Sequence, residues 1–309
     1  MTTTPSTPTT PAGAAAVAPR SPSRWTPMVR FARAYVQLPT GVVGALILVG
    51  VAALALSAPL FIHPSDLSVS KASGPLLHPP LDGYPLGTDQ PGRSVLDLVI
   101  WGARPSLTIG LIATALTVLV GSSIGLMAGH YEGFVSRSLM HVTDWFIALP
   151  SLPLAICLAA VLGQGAVSIT IAIAITSWTG TARLVRAQAL AVEARPFIER
   201  AKALGASDRQ IMLRHVLPNV APLILVSSTL TIASAILSAT TLTFLGLGDP
   251  TDVSWGTMLN QAFGQGAVTG GAWWYLLPPG LAILVVVLGF TMVGRAVEQI
   301  LNPKMENRR

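Results

Sequence analysis

Between residues 145 and 182 the chain runs for 38 positions without a charged side chain. A bilayer crossing takes about 20 apolar residues, so this stretch is too long for one span. Two spans need a turn, and Gly163-Gln164-Gly165 supplies it near the middle. The stretch therefore reads as a hairpin of two membrane helices, with Pro150 and Pro153 kinking the first. A chain that contains such a hairpin has to be read on membrane terms throughout. Four further runs have spanning length, at about residues 41–62, 105–128, 221–245 and 273–293. The expected fold is all-α and polytopic, with six transmembrane helices. With 51% hydrophobic and only 10% charged residues, a soluble domain is excluded. Cys157 is the only cysteine, which excludes a disulfide framework and any Cys-based zinc site.

Residues 1–34 read as a disordered cytosolic tail, because the first 24 are rich in Thr, Pro, Ala and Ser with no apolar periodicity. Residues 35–104 hold the first helix and an extracytoplasmic loop. That helix is too long, and starts too late, to be a cleaved signal core. In the loop, Gly87-Thr88-Asp89-Gln90-Pro91-Gly92-Arg93 is turn-forming, and residues 94–101 read as a short interfacial helix anchored by Trp101. Residues 105–302 form a five-helix core containing a charged loop at 183–218, and residues 303–309 a second cytosolic tail. Six crossings put both termini on one side. Of the 19 Lys and Arg, four lie in the first tail, one (Arg137) in the second link, seven at 183–216 and four near the C-terminus. Only Lys71, Arg93 and Arg104 fall on the other side. Positive residues favour the cytoplasm, so the termini and the 183–218 loop are cytoplasmic. Topology thus accounts for the net charge of +6 without nucleic acid.

Residues 196–219 are the most charged part of this apolar chain. Pro196 suits the first position of a helix, and Phe197, Ile198, Ala201 and Leu204 follow at helical spacing. Gly205 is placed to close that helix in the left-handed conformation. Ser207 and Gln210 have the spacing of a capping box, and Pro218 bars helix through the turn before it. The expectation is a helix–turn–helix, small-sided at Ala201 and Gly205, shaped to sit in another protein's groove.

These residues resemble the EAA loop of ABC-importer permeases: Glu199, Ala201, Gly205, Leu217 and Pro218 fall on that pattern, with Arg200 and His215 as departures. Further stretches are similar to the dipeptide/oligopeptide (nickel) branch, in its second-permease type. They are Pro85 through Asp89 with Gly92-Arg93, Gly102 through Leu107, Thr243 through Gly248 with Ser254 through Leu259, and Trp273-Trp274 with Pro278-Pro279-Gly280. The resemblance implies a type I importer permease fold in a bacterial plasma membrane. It implies a heterodimer with a second, homologous permease, two cytosolic ATPase domains that use ATP and Mg, and an extracytoplasmic solute-binding protein. It also implies that Glu199, Ala201, Gly205, His215, Leu217 and Pro218 form the ATPase-coupling site, and that the cargo is a peptide.

The chain itself reads as no enzyme and as binding no cofactor or metal. A phosphate-binding loop needs Gly-Lys-Ser/Thr, and Lys71, Lys202 and Lys304 follow Ser70, Ala201 and Pro303. None of the apolar runs holds Asp, Glu, Lys, Arg or His. That counts against the alternative reading, an ion-coupled carrier or channel, since such carriers bind their ion with buried acids or histidines. In the fifth span Ser227, Thr231, Ser234, Ser238 and Thr241 recur at steps of four and three and line one helix face. Two readings stand for this stripe. Its hydroxyls ease close packing and bond their own backbone, or they wall a translocation pathway.

Overall fold

The computed structural model describes residues 26–301, with side chains from Phe31 onward. The expected tails at 1–24 and 303–309 lie outside the described residues. Among the described residues the regular structure is all helical, with two isolated bridges and no strand. The helices are α1 (Thr26–Val36), α2 (Pro39–Phe61), α3 (Val95–His130), α4 (Phe134–Ala148), α5 (Ser151–Leu162), α6 (Ala166–Glu193), α7 (Pro196–Ala203), α8 (Asp208–Ile211), α9 (Leu217–Phe244), α10 (Trp255–Gly264) and α11 (Trp273–Leu301). Helix α1 takes the last part of the stretch expected as tail, and Tyr35 Oη at its end donates to Gly41 O at 2.8 Å.

Among the described residues four helices are long and apolar enough to cross a bilayer: α2, α3, the continuous stretch Asp208–Phe244, and α11. Their outward faces carry Leu46, Leu56, Leu60, Phe61, Leu119 and Leu225, all exposed, a surface that water would not tolerate. The first helix of the expected hairpin is not one straight span. It is α4 and α5, bent by 91° at Leu149-Pro150. Pro150 has no N–H with which to extend α4, which ends with Leu149 N donating to Phe146 O at 3.3 Å, and 12 residues of α5 reach only about 18 Å, short of the ~30 Å hydrocarbon core. Counted as one broken span, this pair is the fifth. The remaining expected span is α6, which is less apolar because it is interior: Thr176, Trp178, Thr179 and Thr181 are all buried. Another expectation is corrected at the start of α3. Residues 94–101 form no separate interfacial helix. Ser94 caps α3 by accepting from Asp97 N, and Pro105 is carried inside a helix of 36 residues.

Close approach of backbones organises the bundle. Gly121, Gly125 and Gly129 lie one turn apart on α3 and face α6. A Cβ on them would come 2.6 Å from Trp178 O, 2.5 Å from Ala182 O and 2.6 Å from Ala189 Cβ. Small residues at this spacing let membrane helices pack backbone to backbone. Gly44 of α2 similarly meets Gly289 O of α11, where a Cβ would lie 2.9 Å away.

At the end of the bundle away from α7, the 62–94 loop is tied down by one buried pair. Arg93 Nε donates to Asp89 Oδ2 at 2.7 Å, and its Nη1 and Nη2 donate to Leu67 O and Gln261 Oε1, both at 3.1 Å. Burial pushes the Asp89 carboxyl up from the ordinary aspartate range, against the Arg93 guanidinium and the Arg93 and Gly92 N–H groups, which hold it down. Trp274 Nε1 donates to Thr88 O at 3.3 Å, fastening the same turn to α11. The turn-forming motif at 87–93 is therefore a packed clasp.

Candidate functional site

The charged loop begins as expected. Pro196 opens α7 where its missing N–H is harmless, and Gly205 at φ +80° closes it. Gly205 N donates to Lys202 O at 3.0 Å and Ala206 N to Ala201 O at 3.1 Å, the paired bonds of a Schellman ending. Ser207 accepts from Gln210 N and caps α8, though without the reciprocal bond of a full capping box.

Beyond this point the expected helix–turn–helix is corrected. Pro218 does not end the second helix; the chain continues from Asp208 to Phe244 through a wide π-helical turn at Met212–Val216. Leu217 N reaches back five residues to Met212 O. The wider turn makes room for the proline ring and its missing donor, which a regular α-turn would not.

One side of this loop is sunk into the bundle. Ile198, Ile211 and Val216 are fully buried with Val185, Ala189 and Val192 of α6, Leu126 of α3 and Val220 of α9. Each such side chain contributes about 1.5–3 kcal/mol of apolar burial. The other side is open. Phe197, Arg200, Ala201, Leu204, Gly205, Ala206, Gln210 and His215 line a groove of about 480 Å³. Leu204 is 88% exposed beside it, so the apolar spacing of α7 serves this groove more than the core. The Phe197 and His215 rings meet at 6.3 Å across the wide turn. An adjoining groove of about 270 Å³ carries Arg209, Leu213 and Arg214. The surface is thus apolar at its centre and basic at its rim. No group of three His, Cys, Asp or Glu converges for a metal among the described residues.

A family model for the inner membrane component of binding-protein-dependent transport systems matches residues 121–307. The chain belongs to this family. It is accordingly a permease subunit, a multi-pass membrane component rather than the hydrolysing part of such a system. It is 36% identical to the dipeptide transport system permease protein DppC of Alkalihalophilus pseudofirmus, over 86% of both chains. It is 39% identical to the di/tripeptide permease DppC of Pseudomonas aeruginosa, over 75% of this chain and 78% of that one. With the glutathione permease GsiD of Pectobacterium atrosepticum it shares 35% identity, over 74% and 75%. The crystal structure of an amino acid ABC transporter with histidines superposes with a TM-score of 0.51 at 19% identity, covering 66% of this chain and 94% of that one, and so shares the fold.

In this permease the expected coupling residues divide. Ala201, Gly205 and His215 line the groove. Glu199 stands exposed in the first turn of α7, outside the groove lining. Leu217 is half-buried on the apolar cluster and Pro218 exposed at the end of the wide turn. In the hydroxyl stripe of α9 Ser234 is exposed and Ser227, Thr231 and Thr241 are half-buried, with buried Ala235 and Leu242 one turn beyond Thr231 and Ser238. Ser227, Thr231, Ser234 and Thr241 each donate to a carbonyl three or four residues back, at 2.8–3.0 Å. Ser238 is half-buried on the same face. Two contributors escaped the sequence reading. Arg200, taken as a mere departure from the pattern, lines the groove. The Gly121-Gly125-Gly129 seam was legible as a Gly-x-x-x-Gly repeat in an apolar run.

Proposed function

We propose that this permease is half of the translocation pathway of an ATP-driven importer of short peptides. The cargo class rests on relatives named for dipeptides, di/tripeptides and glutathione, which share a peptide backbone with charged ends. In this reading α6 is the sixth crossing, both termini and α7 are cytoplasmic, and the domain division is the one drawn from the sequence. A second, homologous permease completes a heterodimer, two ATPase domains hydrolyse ATP with Mg below, and a binding protein delivers cargo from outside. The hydroxyl stripe of α9 faces the pathway, where uncharged donors and acceptors hold a peptide backbone only briefly.

The observation that carries the reading is the groove beside α7. An apolar floor with an 88% exposed leucine and an arginine rim is a protein-docking surface by composition. It sits on a loop whose underside is buried in three helices. An ATPase seated there moves the spans by moving the loop. Ala201 and Gly205 keep the groove open, His215 and Phe197 form its wall, and Glu199 offers an acid to the partner's basic groups.

The test is affinity purification of the tagged permease from its own membranes. The wild-type chain is expected to bring down an ATPase and a second permease, with a peptide recovered from the accompanying binding protein. Leu204→Glu puts a charge into the groove and should lose the ATPase while keeping the second permease. Undiminished ATPase recovery with Leu204→Glu overturns the docking site.

A further inference from the structure

His130 ends α3 with its imidazole almost wholly buried. Its Nδ1 lies 2.6 Å from Oε1 of Glu193, the last residue of α6. With Glu193 ionised, Nδ1 carries the proton and donates. The second carboxylate oxygen of Glu193 accepts from Lys202 Nζ of α7 at 3.1 Å. On the far side of the ring Nε2 faces Asp208 Oδ1 of α8 at 3.6 Å. One imidazole thus stands where α3, α6, α7 and α8 meet. The end of α3 is itself fastened, since Ser136 Oγ at 2.6 Å and Arg186 Nε at 3.4 Å both donate to Ala128 O.

This contact differs in kind from the apolar cluster beneath the loop. Apolar contacts resist separation but are non-directional, so a helix packed by them alone is free to turn or slide. A charge-assisted hydrogen bond fixes orientation as well as distance. The connectivity makes that matter. Helix α7 follows α6 after only Ala194 and Arg195, so movement of α7 reaches α6 through the chain itself. Between the loop and α3 there is no covalent path shorter than the whole of α4, α5 and α6.

We propose that the His130–Glu193 bond is the joint that passes movement of the loop to α3 and α6 as one body. It makes His130 a positioning residue for energy coupling, and this rests on the docking of an ATPase at α7 proposed above. The glycine seam packs positions 121–129 of α3 against Trp178–Ala189 of α6 by backbone contact. The joint locks their loop ends, where force arrives. Without it, displacement of α7 twists the last turn of α6 and reaches α3 only through the apolar cluster and the longer Arg186–Ala128 bond.

The test uses the whole importer, with its second permease and ATPases, in proteoliposomes, and its binding protein as purified from the same cells. The readout is the fold stimulation of ATP hydrolysis by the binding protein, a signal that must cross the membrane spans and the loop. His130→Phe keeps a ring of similar size and removes the donor. It is expected to reduce stimulation by about tenfold, within the usual range for coupling between distant sites. His130→Asn, whose amide nitrogen stands two bonds from Cβ as Nδ1 does and donates to Glu193, is expected to restore most of it. Stimulation of His130→Phe at the wild-type level overturns the joint. So does a His130→Asn complex as defective as His130→Phe, since ring shape would then be the cause. A His130→Phe complex that no longer retains the ATPase makes the histidine part of the dock and also overturns it. A wild-type chain that purifies without any ATPase sinks the docking reading before the histidine is touched.

Discussion

The seam between α3 and α6 makes a prediction whose sign follows from distances. A methyl at position 125 would sit 2.5 Å from Ala182 O and 2.8 Å from Val185 Cβ, whereas ordinary contact begins at 3.4 Å. The nearer neighbour is backbone, which no rotamer change moves aside. Gly125→Ala must therefore push the helices apart by about 1 Å, and a gap of that size forfeits roughly a quarter to a half of each facing atom pair's dispersion energy. Gly121 and Gly129, one turn either side, lose contact in the same movement. Overpacking of this kind costs about 1–3 kcal/mol, against which alanine regains about 1 kcal/mol of helix propensity. The net is a loss of up to about 2 kcal/mol. Gly50 of α2 is the control, because nothing lies within 4 Å of a Cβ built there. Gly50→Ala keeps only the propensity gain and should be neutral or stabilising. Equilibrium unfolding in mixed micelles, compared at equal detergent fraction, measures both. If Gly125→Ala unfolds no more readily than Gly50→Ala, the two helices are not in backbone contact and the reasoning fails.

Three other outcomes are expected. Asp89→Asn leaves Arg93 buried without its counter-charge and should destabilise the extramembrane clasp by about 3–5 kcal/mol, seen as faster proteolysis of the 62–94 loop; wild-type protection would show that the pair does not hold it. At Gly205 a Cβ would meet no atom within 4 Å, but Gly205→Val has to hold φ at +80°, so it should lower uptake through backbone strain of about 1–3 kcal/mol, with Gly205→Asn milder because Asn tolerates that region; equal effects of the two would point to side-chain contact instead. Replacing Thr231 and Ser234 together by Val removes hydroxyls that bond only their own helix, so stability should change by no more than about 0.5 kcal/mol while peptide uptake falls; unchanged uptake would leave the stripe a packing feature.

What the sequence showed clearly was where lipid lies. Residues 41–62 and 273–293 read as helices because a span must satisfy its backbone within itself, and α2 and α11 occupy those positions. The reading weakened wherever neighbours rather than lipid set the structure. Helix α6 is less apolar than a lone span because α3, α5 and α9 surround it, a fact that no run of residues contains. Pro150 signalled a kink, but its size of 91° depends on what α5 packs against. Pro218 was read by the ordinary rule for an α-helix, whereas the wider turn at Met212–Val216 lets the helix pass it. At the site, Gly205 was legible because its role is local, a backbone angle. His130 and Glu193 are 63 residues apart, and only the packing of α3 on α6 brings them together.

As the proposed dock and transmitter, the loop answers two demands that pull against each other. A dock has to present free apolar surface, and a transmitter of force has to be fixed. Helix α7 meets both by dividing its residues. Ile198 goes into the bundle, while Phe197, Ala201 and Leu204 turn to the groove. Eight residues extend only about 12 Å, too short to bend, and the Schellman ending leaves no frayed turn to absorb a push. On the other flank the π-helical turn keeps α8 continuous with α9, so displacement there enters a membrane helix directly. In the proposed coupling, force applied at the groove has two stiff exits, through α9 by an unbroken helix and through α3 and α6 by way of His130. If either exit were soft, the groove would still hold its partner, and binding without movement is the outcome that separates a failed transmitter from a failed dock.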